Sequence, residues 1–304
     1  MIKNNVVSAM TIIQRKEQAM DRVRKMISIF LACIICITTI WGGNPANIQA
    51  AESYKRLELY DGTLQKAGAT AFRYSKNGNY GYLYAVKNGR RTLLASGTGL
   101  GTGIITNGST IYYVRSVPSA PYMKSTIYSI ASNGKKNKKL FSIKDYSSIM
   151  LHGYYDNKIY YSYGELDVEK FCSYHVKKRK MRKLLTGVGG VRQQDQYFYI
   201  VPPDGDLWYL PLRVHNAKTG KTRTICKGQL GYNIISKKLY YADAKYSGSK
   251  GGRMIFTVSL KRSNLSGSNK KTLIKKLKVS SSVEIKKNSI TYYDVNGKKK
   301  TKRL

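Results

Sequence analysis

Gly103-Ile104-Ile105, Asn107-Gly108, Ile111-Tyr112-Tyr113, Thr126-Ile127-Tyr128-Ser129-Ile130, Asn133-Gly134 and Leu140-Phe141 follow one another in that order along the chain. Four short runs rich in β-branched and aromatic residues, separated by turn formers, read as four antiparallel strands. The same order recurs. The central triplet returns as Ile159-Tyr160-Tyr161, Tyr197-Phe198-Tyr199, Leu239-Tyr240-Tyr241 and Thr291-Tyr292-Tyr293, at intervals of 48, 38, 42 and 52 residues. Before each triplet stands a further run: Ile149-Met150-Leu151, Gly190-Val191, Tyr232-Asn233-Ile234-Ile235 and Val283-Glu284-Ile285. After it come Tyr174-His175-Val176 and Leu184-Leu185, Val214-His215-Asn216 and Thr224-Ile225, or Phe256-Thr257-Val258 and Leu273-Ile274. An earlier copy lies in Ala71–Tyr74, Tyr82–Tyr84 and Leu93-Leu94, where Asn88-Gly89 suits a type I′ hairpin with positive φ at both central residues.

Four-stranded units repeating every 40–50 residues or so have the period of β-propeller blades, and a single such sheet cannot bury its faces alone. The expected fold is therefore all-β, a six-bladed propeller, with blades starting near residues 57, 103, 147, 189, 231 and 283. The sixth unit lacks a strand. Lys55-Arg56-Leu57-Glu58-Leu59 is expected to supply it, closing the ring by pairing the two ends of the domain and removing an exposed edge. A tyrosine-rich β-sandwich is the competing architecture.

The turn, Ile-Tyr-Tyr strand, Ile-Tyr-Ser-Ile strand and Asn-Gly-Lys hairpin resemble the repeats of secreted Gram-positive proteins with a low-density-lipoprotein-receptor-like six-bladed propeller. The resemblance covers residues 57–304 and implies a fold and an extracellular location. Receptor propellers of that type carry Tyr-Trp-Thr-Asp, where this chain has Tyr112-Tyr113-Val114-Arg115 or Tyr160-Tyr161-Ser162-Tyr163. Only Tyr241-Ala242-Asp243 keeps an approximate acid, so the polar network and ligands of those receptors do not transfer.

Residues 1–50 read as an address. Arg22, Arg24 and Lys25 precede an apolar run from Met26 to Trp41, Gly42-Gly43-Asn44-Pro45 breaks any helix, and Ala50-Ala51 offers small residues for cleavage. That is the layout of a secretory signal peptide, with a retained membrane anchor as the alternative. Leu31-Ala32-Cys33 approximates a lipid-attachment box, but the apolar run continues through Ile40. Residues 51–304 are expected to form one propeller domain, secreted or at the cell surface.

The chain of 304 residues holds 54 Lys and Arg against 16 Asp and Glu, a formal net charge of +38. Removing residues 1–50, with six basic and two acidic side chains, leaves 48 against 14. A surface this basic attracts polyanions. Two lysine-rich hairpins fall at the same place in consecutive repeats: Lys135, Lys136, Lys138 and Lys139, then Lys177, Lys178, Arg179 and Lys180. They are the candidate polyanion-binding residues. Anionic cell-wall polymer, anionic lipid or another envelope protein are the expected partners, and the C-terminal Lys298–Arg303 run carries no nucleic-acid signal in an exported chain.

Evidence for catalysis is thin. His152, His175 and His215 have no zinc-ligand spacing, and no Gly-x-Ser-x-Gly elbow occurs, so neither metal nor cofactor is expected. Gly97–Gly103 lacks the Gly-Lys-Ser/Thr ending of a phosphate loop and reads as an inter-blade turn, as does Gly187–Gly190. Glycosidase chemistry needs two carboxylates at set separation, and Glu165, Asp167 and Glu169 with Asp204 and Asp206 are the candidates for it or for calcium. Cys172 and Cys226 fit a disulfide or two buried thiols. The functional expectation is a non-catalytic envelope binding or scaffold protein. A carbohydrate-active enzyme using the loop carboxylates and a protein–protein platform or sensor are the alternatives.

Overall fold

Successive residues of a strand point to opposite faces of its sheet, so an Ile-Tyr-Tyr triplet delivers one tyrosine to each side. In the computed structural model, which describes residues 53–165, 168–203 and 210–304, that parity organises the whole of Tyr54–Leu304. Tyr113 enters one hydrophobic cluster and Tyr112 the next; Tyr161 shares the cluster of Tyr112, and Tyr160 faces the following one with Phe198; Tyr199 faces the one after that.

The strands form six consecutive antiparallel sheets. The first holds β2 (Leu64–Ala67), β3 (Thr70–Asn77), β4 (Tyr80–Lys87) and β5 (Arg90–Thr98). The second holds β6 (Leu100–Thr106), β7 (Thr110–Ser119), β8 (Tyr122–Ala131) and β9 (Lys138–Asp145), and takes β1 (Lys55–Glu58) on its β6 edge. The third is β10 (Met150–Tyr155), β11 (Lys158–Tyr163), β12 (Lys170–His175) and β13 (Lys180–Thr186). The fourth and fifth are joined: β14 (Gly190–Gln194), β15 (Tyr197–Val201) and β16 (Leu210–Asn216) lead into β17 (Lys221–Ile235), whose second half pairs with β18 (Lys238–Lys250), followed in the sheet by β19 (Arg253–Asn264) and β20 (Lys271–Val279). The sixth, among the described residues, has three strands: β21 (Glu284–Ile285), β22 (Ser289–Tyr293) and β23 (Lys299–Arg303).

Five hydrophobic clusters join these sheets in chain order. Phe72 and Leu83 of the first sheet meet Ile104 and Ile111 of the second. Ile127 of the second meets Ile159 and Tyr174 of the third, Phe171 of the third meets Ile200 of the fourth, and Leu212 of the fourth meets Leu239 and Tyr241 of the fifth. Phe256 and Val258 of the fifth meet Ile285 and Ile290 of the sixth. Each large side chain so buried contributes about 1.5–3 kcal/mol relative to exposure. The chain is all-β and of β-propeller type, as the repeat predicts.

Two expectations need correction. The first blade starts at Leu64, and Lys55–Glu58 does not complete the sixth. Instead β1 pairs antiparallel with β6, from Lys55 opposite Thr106 to Glu58 opposite Gly103, and Leu59 N–H donates to Thr102 O at 2.9 Å. Side-chain burial decides this: Leu57 and Leu59 enter the cluster between the first two sheets, while Tyr54 packs on Tyr154 and Tyr112 with centroids 4.0 and 5.7 Å away. The β6 edge is thereby covered, and closure by pairing the two ends of the domain is not what the chain does.

The turn reading holds in part. Asn88 and Gly89 have φ of 51° and 74°, the type I′ pattern, whereas at Asn133-Gly134 only the glycine is positive, at 78°. Gly231 has a different duty. Val283 N–H donates to Leu230 O at 2.7 Å, and a Cβ on Gly231 would collide with the Val283 carbonyl, so the sixth sheet docks only against glycine there.

If β1 is anchored as described, Leu59→Ala, at a fully buried position, lowers unfolding stability by about 2–5 kcal/mol. Leu304→Ala, at a position 42% exposed, stays within about 0.5 kcal/mol in the same urea titrations. Equal effects at the two positions would contradict the placement of β1.

Candidate binding surface

In an antiparallel four-stranded sheet the turn joining strands one and two lies at the same end as the turn joining three and four. We call this the tip end. Lys135 and Lys136 occupy the third-to-fourth turn of the second sheet, with Lys138 and Lys139 opening β9; all four are exposed. Lys177, Lys178 and Arg179 occupy the equivalent turn of the third sheet, with Lys180 opening β13, again all exposed. The two groups singled out from sequence are thus structurally equivalent.

The neighbouring sheets add to them. Lys87, Arg90 and Arg91 stand at the tip of the first sheet, Lys218 and Lys221 at that of the fourth, and Lys270 and Lys271 at that of the fifth, all exposed. Lys237 and Lys238 in the fifth sheet and Lys286 and Lys287 in the sixth occupy first-to-second turns, hence the same end. Arg303, opposite Ser289, ends β23 there too. Among the described tip turns only Asp156 and Asp195 are acidic.

Contacts between successive sheets keep these ends aligned. Gly134 approaches Thr92 and Leu93 of the first sheet, just beyond its tip. Tyr174 Oη donates to Leu140 O at 3.4 Å, linking the third sheet to the second. Gln193 of the fourth bonds both backbone groups of Tyr154 in the third, Nε2 donating to Tyr154 O at 2.9 Å. Arg223 of the fourth donates to Ser268 Oγ at 3.1 Å and to Ser266 O in the tip of the fifth, whose Lys270 donates to Ile225 O at 2.9 Å. Asn233 Nδ2 of the fifth reaches Ile285 O of the sixth at 2.8 Å. Like ends sit beside like ends.

The opposite end is mixed in charge. Asp61, Asp145, Glu165, Glu169 and Asp294 are there, with Asp145 paired to Lys170 at 3.4 Å. Glu165 is exposed; Glu169 is half-buried and its carboxyl is raised above the usual range by burial, with a hydrogen bond from Ser162 acting the other way. Asp167, Asp204 and Asp206 lie outside the described residues, as do residues 1–50 with the leader, Cys33 and Cys36. Among the described residues no group of three or more His, Cys, Asp or Glu side chains is placed to hold a metal ion.

One polar chain went unnoticed in the sequence. His152 Nε2 lies 2.7 Å from Ser162 Oγ, which also bonds Glu169. His152 and Ser162 are buried, so the hydroxyl is out of reach of a substrate and the chain is an internal brace. Its partners come from β10, β11 and the residue just before β12, and no linear spacing signals it. Burial, then the nearby Arg56 cation, lowers His152 to about 3, and burial lowers His215 to about 4. Cys172 and Cys226 are free and buried, their thiols pushed up to about 11 and 12 by burial, so neither is an activated nucleophile.

No protein-family model matches the chain, and no curated protein matches it. Among solved structures it is similar to a prolyl endopeptidase at 12% identity and TM-score 0.48, over 82% of this chain and 42% of that one, so it spans less than half of the peptidase. A putative TolB from Agrobacterium tumefaciens matches at 14% identity and TM-score 0.40, over 77% of this chain and 85% of the other. An uncharacterized protein, lmo1340, from Listeria monocytogenes EGD-e matches at 10% identity and TM-score 0.43, over 83% and 94%. These likenesses are distant and of fold; they assign no family, and the repeat family named from sequence stays a resemblance.

The histidine burial gives a pH signature. The unfolded chain protonates His152 near pH 6.5 and the folded chain only near pH 3, so the unfolded state binds more protons in that window. Stability therefore falls as pH drops below 6.5, by at most about 1.4 kcal/mol per pH unit from this residue. His152→Gln should show a shallower fall than the parent in thermal melts between pH 7 and pH 4; parallel curves would mean His152 is not buried neutral.

Proposed function

We propose that this protein is a non-catalytic binding or scaffold protein of the cell envelope that holds an anionic partner on its lysine-rich tip end. The observation that carries the reading is the equivalence of the basic hairpins, Lys135–Lys139 and Lys177–Lys180, at one end of a stack whose tip turns hold few carboxylates. Export, read from the leader, puts that surface where anionic polymers and lipids are found.

Exposed charges more than about 8 Å apart are largely screened at physiological salt. A useful contact must then be close and made by several side chains at once, and its affinity falls steeply with salt. An array of short tips on adjacent sheets meets that requirement better than lysines scattered over a surface.

Heparin retention tests the reading. The protein binds an immobilised heparin column at low salt, and joint replacement of Lys177, Lys178, Arg179 and Lys180 by Ser elutes it at markedly lower salt with unchanged circular dichroism. Retention insensitive to salt and to the replacement would reduce the lysines to a solubility coat.

A further inference from the structure

One face of the fifth sheet changes character along its length. Ala242, Ala244, Phe256 and Val258 point to the sixth sheet, so the side chains alternating with them turn toward the fourth, where Leu239 and Tyr241 meet Leu212. Beyond Tyr241 that face becomes polar. Gln229, Asp243 and Ser259 form one row across β17, β18 and β19, and Lys245, Thr257 and Lys278 form the next across β18, β19 and β20. A cleft of about 620 Å³ opens there, its lining including Asp243, Lys245, Ser247, Thr257 and Ser259. Small-molecule sites usually measure about 300–1,000 Å³.

The charges in this cleft do not balance. Asp243 is already engaged, since Lys261 Nζ donates to its Oδ2 at 2.5 Å. Lys278 Nζ donates to Thr257 Oγ1 at 2.8 Å and to Ser247 Oγ at 3.2 Å, so hydroxyls hold it over the cleft. Lys245 flanks Thr257 from the other side. No carboxylate among the described residues pairs with either lysine. Residues directly opposite on neighbouring strands lie about 5 Å apart, so two long cationic chains border one hydroxyl and can converge on a single anion. Gln229 Oε1, in the row of Asp243, and Tyr241 Oη, two residues before it, are buried without hydrogen-bond partners, so this face is also short of polar contacts of its own.

We propose that the cleft binds a small phosphate monoester carrying free hydroxyls. Such a phosphate bears about 1.5–2 negative charges at neutral pH, which the two unpaired ammonium groups match. Its oxygens accept from Lys245, Lys278 and the neighbouring Ser and Thr hydroxyls. The hydroxyls of the ligand donate to Asp243 Oδ1, the oxygen that Lys261 leaves open. Inorganic phosphate uses only the first set of contacts and a neutral polyol only the second. The cleft lies toward the end opposite the basic tips, and it stands whether or not those tips hold a polymer.

Isothermal titration calorimetry on the full chain tests this, with glycerol 3-phosphate as the probe because it is a minimal hydroxylated phosphate monoester. It binds about tenfold or more tightly than inorganic phosphate, and glycerol alone gives no heat of binding. Joint replacement Lys245→Gln and Lys278→Gln weakens it about tenfold or more, as expected for lost charge-assisted hydrogen bonds. The melting temperature is unchanged, because both side chains are exposed. Thr257→Val weakens binding in the same direction, and Thr257→Ser retains it. Joint replacement of Lys177, Lys178, Arg179 and Lys180 by Ser leaves it unaltered. No binding, equal affinity for inorganic phosphate, or affinity unmoved by the cleft replacements overturns the inference. A loss confined to the tip replacement would place the phosphate on the lysine tips, ending this inference and leaving the polyanion reading in place.

Discussion

The parity of two adjacent aromatic residues governs this molecule. A strand carrying Tyr112-Tyr113, or Tyr160-Tyr161, or Phe198-Tyr199, makes its sheet apolar on both faces, and such a sheet is stable only between two others. Stacking is then forced, and because consecutive strands neighbour one another within each sheet, β1 apart, each interface repeats the last with altered side chains. Aromatic rings meet across the joints, as with Tyr160 and Phe198, whose centroids are 4.2 Å apart. Disulfides are not required: a domain of this size buries about 70–75% of its unfolded surface, and both of its cysteines are free.

Charge follows from the same repetition. Four consecutive strands, as the chain lays down in each of the first five sheets, return it to the end it started from, so equivalent turns of successive sheets fall on one side. The sequence places lysine and arginine in most of those turns and, Asp156 and Asp195 apart, its described loop carboxylates at the other end. Neither end is built by a dedicated domain. A hairpin tip is the most tolerant place for a long charged side chain, since its backbone is satisfied locally and its head group reaches water. The polarity of the molecule is thus a product of where charge is cheap and of which way the strands run.

Much of this was legible. The triplets marked the second strand of five sheets, because tyrosine at two consecutive positions is rare in a half-exposed strand and common in one buried on both faces. Asn88-Gly89 was legible as a turn because its chemistry is local. Lys55–Glu58 was not, since a strand with Leu57 and Leu59 alternating against polar residues fits any uncovered edge, and only packing against Ile104 and Phe72 selects β6. Nor was the fusion of the fourth and fifth sheets through β17, where Gly228 and Gly231 suggest a break that backbone pairing carries through. The lysine tips were readable as hairpins; that they share an end required only counting strands, but the brace of His152, Ser162 and Glu169 required register between three strands.

Spin-label distances test the shared end most directly. A pair at Lys136 and Lys178 joins two tips of neighbouring sheets, whereas Lys136 and Glu165 join a tip to the opposite end of the next sheet. Six residues of strand, the length of β11 or β12, span about 20 Å. The account predicts that the first distance is the shorter, by an amount approaching a strand length. A Lys136–Glu165 distance equal to or below the Lys136–Lys178 distance would mean that the tips do not share a face, and the basic surface would not exist.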